Sequence, residues 1–201
     1  MTNLEQWQSR YAGPGYYFGT EPNAFLRREA RRFKPRDSVL SIADGEGRNG
    51  VWLAERGLDV LSVDFSPLAL EKSRALAAER GVALRTEQAD LAAWTWPTAA
   101  FDGVVAIFIQ FAAPEVRTRM FAGMAQALKP GGWLLIQGYR PEQLRYGTGG
   151  PKDVENLYTR ALLEAAFPGF SSLEIAEYDA EIHEGAGHNG MSALIDLVGR
   201  K

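Results

Sequence analysis

Two carboxylates stand among glycines in the segment Ala43-Asp44-Gly45-Glu46-Gly47-Arg48-Asn49-Gly50, and a third, Asp64, follows Gly45 by nineteen positions. Glycines let a chain turn sharply and bring its backbone close to a bound molecule. A carboxylate at the later position, where a second strand ends, can accept hydrogen bonds from two ribose hydroxyls. Gly45, Gly47 and Gly50 also spell G-x-G-x-x-G, so an NAD-type dinucleotide and S-adenosylmethionine both have to be weighed. A dinucleotide would set its pyrophosphate against Asp44 and Glu46, which repel it. S-adenosylmethionine has no phosphate and carries a positive sulfonium and ammonium, so an acidic loop suits it better. The residues after 140 are expected to hold no second domain that would bind a hydride donor's substrate, and none of the seven tyrosines has Lys four places on. A phosphate-binding P-loop is excluded, because no Gly-Lys-Ser/Thr follows the glycines.

These residues need a scaffold that carries them to one edge. Short, nearly continuous apolar runs at Val39–Ala43, Val60–Val63, Val104–Phe108 and Trp133–Ile136 read as strands buried on both faces of a parallel sheet. A fifth run, Val82–Thr86, is less apolar. Between them lie helical segments. Pro22 and Asn23 open one whose stripe is Phe25, Leu26, Ala30 and Phe33. Ser66 caps another with Pro67 at its first position, and Gly81 closes it. Pro114 opens a third with Val116, Met120, Met124 and Leu128 on one face, and Lys129-Pro130-Gly131-Gly132 predicts a turn before the next strand. Toward the C-terminus, Leu173–Ile182 and Ala193–Val198 are separated only by a loop, His183–Met191, too short for a helical crossover. The expectation is an α/β fold: a doubly wound, mostly parallel seven-stranded sheet ending in an antiparallel hairpin. It is read as one domain over residues 1–201, with 1–35 as N-terminal helices and lid and 36–201 as the core fold.

Composition narrows the function further. The net charge is -3, with 22 Lys+Arg against 25 Asp+Glu, which gives no global attraction to nucleic acid or to an anionic membrane. No cysteine is present, so a thiolate nucleophile, a disulfide scaffold and a Cys-ligated metal site are excluded. No apolar stretch approaches the roughly 18–20 residues of a membrane span, and the start of the chain lacks a signal-peptide pattern, so a cytoplasmic location is expected.

The motifs taken in order resemble the class I S-adenosylmethionine-dependent methyltransferases. Val39–Asn49 is similar to their glycine-rich first motif, Val63-Asp64-Phe65-Ser66 to the second, Ala89-Asp90-Leu91 to the third, and Leu128–Gly132 to the turn before strand five. Tyr17–Asn23, Glu46–Asn49, Tyr146–Pro151 and Glu184–Gly190 resemble a group of small bacterial enzymes related to the tellurite-resistance methyltransferases. The resemblance implies that the cofactor meets Ala43, Asp44, Gly45, Glu46, Gly47, Arg48 and Asn49 in the loop. After the second strand it would meet Asp64, Phe65 and Ser66, after the third Ala89, Asp90 and Leu91, and at the end of the fourth Ala106 and Ile107. Two departures stand out: Ser41 and Ala43 occupy positions where many members have an acidic residue and Gly. They keep open a second reading, a cofactor-binding protein of the same fold without efficient turnover. An NAD-binding oxidoreductase is the third.

Methyl transfer from a sulfonium is an in-line displacement, so the protein chiefly has to align nucleophile, methyl carbon and sulfur. A thiolate, selenide or telluride needs no general base, whereas a hydroxyl or ammonium does. His188, Glu184 and Gln110 are the candidates for such a role, with the bland alternative for His188 a solvated or structural loop histidine. Asp90 can accept from an adenine amino group or cap a helix. Trp7, Tyr11, Tyr16, Tyr17 and Phe18 crowd the start of the chain, and Tyr11, Tyr16 and Phe18 are read as lid and substrate residues in a Tyr11–Asn23 cover, or as ordinary packing. Arg140 and Arg145 can meet an anionic acceptor or be solvated. The Asn/Asp-Pro-Pro-Tyr motif of base-modifying enzymes is replaced by Ile107-Phe108-Ile109-Gln110, which favours a small-molecule acceptor over nucleic acid.

Overall fold

The structure, a computed structural model, describes residues 3–201. Met1 and Thr2, part of the expected N-terminal lid, lie outside the described residues. Seven strands form one sheet: β1 Ser38–Ile42, β2 Asp59–Asp64, β3 Arg85–Gln88, β4 Phe101–Ile107, β5 Leu128–Tyr139, β6 Ser172–Glu184 and β7 His188–Arg200. Their order is β3-β2-β1-β4-β5-β7-β6. The first five run parallel, and β7 pairs antiparallel with both β5 and β6. This is the doubly wound sheet with a closing hairpin that the sequence pattern implied.

Helices α1 Asn3–Tyr11, α2 Ala24–Glu29, α3 Arg48–Glu55, α4 Pro67–Glu79, α5 Pro114–Ala127 and α6 Arg160–Ala166 cover the sheet. Their starts follow from local chemistry. Asn23 accepts from the Leu26 amide at 3.0 Å, and Ser66 accepts from the Ala69 amide ahead of Pro67. One side of the sheet buries Leu40, Val104, Ala106, Leu134 and Ile136 under α5 residues Met120 and Met124. The other buries Val39, Val60, Val105 and Leu135 under Phe25, Leu26 and Leu53. The strands alternate between these two clusters residue by residue, which is why they read as continuous apolar runs.

Three sequence expectations need correction. The third strand lies at Arg85–Gln88, three residues beyond the start of the run Val82–Thr86. It is the sheet's edge and mostly exposed, so burial imposes little apolar signal on it. Lys129–Gly132 is not a turn ahead of the strand. It is the first part of β5, with a register shift opposite Phe101/Gly103 and Gly131 at φ 75°. The loop His183–Met191 shrinks to the turn Gly185–Gly187, because the pairing runs out to Glu184↔His188.

Candidate functional site

The carboxyl ends of β1, β2 and β4 open into a cavity of about 660 Å³, at the switch point where strand order reverses. Ala43, Asp44, Gly45, Arg48 and Asn49 line it from the loop after β1. Asp64 and Phe65 line it after β2, Ala89, Asp90 and Leu91 after β3, and Ile107 at the end of β4. Trp7, Tyr11, Phe18 and His188 close it from above.

The glycine loop is shaped by contacts that only glycine permits. Gly47 has φ 89°, and a Cβ there would lie 2.3 Å from Ser73 Oγ on α4. A Cβ on Gly50 would lie 2.4 Å from Asp44 Oδ2. Ala43 adopts φ 46°, the left-handed region, at the position where the resemblance expects Gly.

Asp44 is buried where the loop leaves β1. Ser41 and Ser62, directly paired across β1 and β2, both donate hydroxyl hydrogen bonds to it, at 2.7 and 2.8 Å, and the Gly50 amide donates as well. Burial nonetheless pushes its carboxyl up to about 6, against the pull of these donors. Asp64 accepts from the Gly45 amide through Oδ2 and from the Ser66 amide through Oδ1, each at 2.9 Å. Burial raises its carboxyl too, and the backbone donors oppose the shift.

Glu46 departs from the acidic-loop argument. It is buried, but outside the cavity lining, and accepts from Lys72 Nζ at 2.8 Å and from the Tyr17 amide at 2.6 Å. Its charge is neutralised by a lysine 26 residues away, so only Asp44 presents a loop carboxylate to the cavity. Gly47, Ser66 and Ala106 also fall outside the lining: Gly47 packs on α4, Ser66 caps α4, and Ala106 faces the core beneath α5. Asp90 lines the cavity, while its Oδ1 accepts from the Ala92 amide at 2.9 Å.

Of the three candidates for a proton-transfer role, one reaches the cavity. His188 does, with its ring 4.7 Å from Phe18, 4.3 Å from Phe108 and 5.7 Å from Tyr139. Its Nδ1 is buried without a hydrogen-bond partner, 3.8 Å from Glu184 Oε2. Burial lowers its pKa despite the neighbouring carboxylate. Glu184 instead holds Arg48 at 2.5 Å and accepts from Asn23 Nδ2, and its carboxyl falls to about 2 although burial opposes the shift, because His188 and Arg48 favour the anion. Gln110 is structural. It donates to the carbonyls of Tyr139 and Asn156 and accepts from the Tyr139 amide, tying β4 to β5. Arg140 pairs with Asp179 and Glu142, away from the cavity.

The segment after α1 forms a clasp. Lys72 Nζ donates to the carbonyls of Gly13 and Gly15, and the Ala186 amide of the hairpin turn donates to the Tyr17 carbonyl at 2.9 Å. Tyr17 and Phe18 pack so closely on Gly185 and Gly187 that a Cβ at either glycine would lie 2.3 Å from them. Tyr16 is outside the cavity, packed against Val51, Leu76 and Ala77. Sequence reasoning missed Phe108, Phe111, Ala112, Ala113 and Val116 as lining residues. The available signal was an apolar run continuing past β4 into Pro114.

Comparison with known proteins agrees with this arrangement. Residues 39–132 match the methyltransferase-domain family. Demethylmenaquinone methyltransferase from Thermus thermophilus is 30% identical over 146 residues, which are 71% of this chain and 61% of that protein. The chain spans only 61% and 47% of the first two curated relatives it matches. Among solved structures, TehB from Haemophilus influenzae superposes with a TM-score of 0.73 at 18% identity, over 98% of this chain and 66% of that one. A SAM-dependent methyltransferase from Methanosarcina mazei gives 0.72 at 15% identity, over 90% and 98%. At such identities the structural likeness is one of fold.

Proposed function

We propose that this chain, a member of the class I methyltransferase family, binds S-adenosylmethionine in the cavity at the ends of β1, β2 and β4 and methylates a small-molecule acceptor. The observation that carries the reading is Asp64. Each of its carboxylate oxygens receives one backbone amide, which leaves further lone-pair sites on a carboxylate that lines the cavity. That is the capacity a ribose diol requires. When bound, the cofactor supplies a methyl group on a positively charged sulfur.

The chain's own residues hold and shield. Asp64 would hold the ribose, Gly45 lets the backbone approach, and Asp44 favours a cation in its vicinity. Asp90 would accept from the adenine amino group through the oxygen that does not cap its own turn. Trp7, Tyr11 and Phe18 exclude water from the reacting centre. His188, whose pKa burial lowers, would accept a proton from an acceptor that carries one; Glu184 would act only through Arg48 and His188. The departures at Ser41 and Ala43 do not dismantle the loop. Ser41 supplies a donor to Asp44, and Ala43 takes the glycine-like conformation. Calorimetry with S-adenosylhomocysteine and with NAD tests the reading. Binding of the first alone is expected, and tight NAD binding with none of the first would refute it.

A further inference from the structure

The cavity has two unlike halves. Every lining carboxylate stands at the ends of β1 and β2 or just after β3: Asp44, Asp64 and Asp90. Among the described lining residues the one cation, Arg48, is already paired with Glu184. The rest of the described lining is dominated by Trp7, Phe18, Phe108, Phe111 and Val116, with His188 and the hydroxyl of Tyr11, which stacks on Trp7, as its titratable groups. Phe111 is 37% exposed at the rim, an apolar threshold for an entering molecule. Phe108 holds φ 54°, unusual for an aromatic residue, and its ring stacks 4.7 Å from Tyr139 and meets His188 edge-on at 4.3 Å.

An anion brought to this wall would lose its hydration and find no unpaired cation to replace it. A charged amine would be stripped of water against the same apolar surface, with the carboxylates on the other half. An uncharged apolar body gains from burial there. On the basis of the cofactor reading above, the geometry points to the substrate class: an uncharged, aryl-bearing thiol or phenol. Its ring would lie among Phe18, Phe108, Phe111 and Val116, with its S–H or O–H toward His188. In the transfer, the acceptor's sulfur or oxygen forms a bond to the methyl carbon. The bond from that carbon to the sulfonium sulfur breaks and leaves its electron pair there as a neutral thioether. The acceptor's proton passes to the His188 imidazole and from there to water.

The full chain is tested with labelled S-adenosylmethionine on phenylmethanethiol and 4-ethylphenol, against tellurite, selenite and 3-mercaptopropionate. The expected kcat/KM for phenylmethanethiol is at least tenfold above that for each anion. Val116→Asp and Phe111→Ala each raise its KM, the first at least tenfold, with S-adenosylhomocysteine affinity unchanged by calorimetry. That calorimetry separates the two ideas. No binding to the unaltered chain removes the cofactor reading and this inference with it. Binding accompanied by transfer to any anion at a rate equal to or above that for phenylmethanethiol, zero on all included, overturns this inference alone. So does wild-type KM in both variants.

Discussion

Replacing Asp64 by Asn should separate ligand affinity from stability. In the wild type the carboxylate accepts two backbone amides at 2.9 Å, from Gly45 and Ser66. Asn keeps one oxygen as an acceptor and turns an amino group toward the other donor, a loss of about 1–3 kcal/mol of stability. Part of that is returned, because burial disfavours the Asp64 anion and Asn has no charge to desolvate. The net change should stay within about 2 kcal/mol, a few degrees in Tm for a chain of this size. Ligand binding suffers more. Two hydroxyl-to-carboxylate bonds contribute about 2–3 kcal/mol together, and the same loss weakens S-adenosylhomocysteine by about 30–150-fold. Calorimetry with a parallel thermal melt measures both. A folded variant with unchanged affinity would mean that Asp64 does not hold the ribose.

Two carboxylates should give opposite pH signatures. Asp44 is raised to about 6 in the fold, so its contribution to stability is fully present below the unfolded value near 4 and is lost, by about 3 kcal/mol, as pH rises to 6; Asp44→Asn should lack that slope in urea titrations. Glu184 is lowered to about 2, so its contribution of about 3 kcal/mol is present above pH 4.5 and disappears as pH falls toward 2; Glu184→Gln should be insensitive in that window. Gly185→Ala places a Cβ against the Tyr17 carbonyl, so hydrogen exchange at the Ala186 amide should rise at least tenfold while the β5–β7 amides keep their protection; unchanged exchange would mean that the clasp has another basis. Deleting residues 1–20 removes Tyr11 and Phe18 from the cavity but leaves the two large core clusters whole, so a folded domain with greatly reduced methyl transfer is expected, and a full rate would refute the shielding role.

Much of this architecture is legible in the chain because burial on two sides writes itself as uninterrupted apolar runs. Val39–Ile42 and Val104–Ile107 serve both clusters, so neither strand can hide. Where one side meets water the signal fades, as in β3 and at the end of β6, where His183 and Glu184 read as loop. The glycine loop was visible by spacing, but the direction of Glu46 was not. That depends on Lys72, which only the packing of α4 beside the loop brings near. The apolar wall escaped notice for a related reason. Phe111 and Val116 resemble any residues at the start of an amphipathic helix until the fold shows that their side borders a void.

The clasp between Tyr17 and Ala186 has a consequence for biosynthesis. Its two halves lie far apart in the chain, and β7 must slot between β5 and β6 before the turn that carries Ala186 exists in place. On a ribosome adding about 5–20 residues per second, the nascent chain therefore spends on the order of ten seconds with α1 and the glycine loop exposed but unroofed. During that interval Phe18 has neither Gly187 nor His188 to rest on. Of the described residues that line the cavity, His188 is the last to be made.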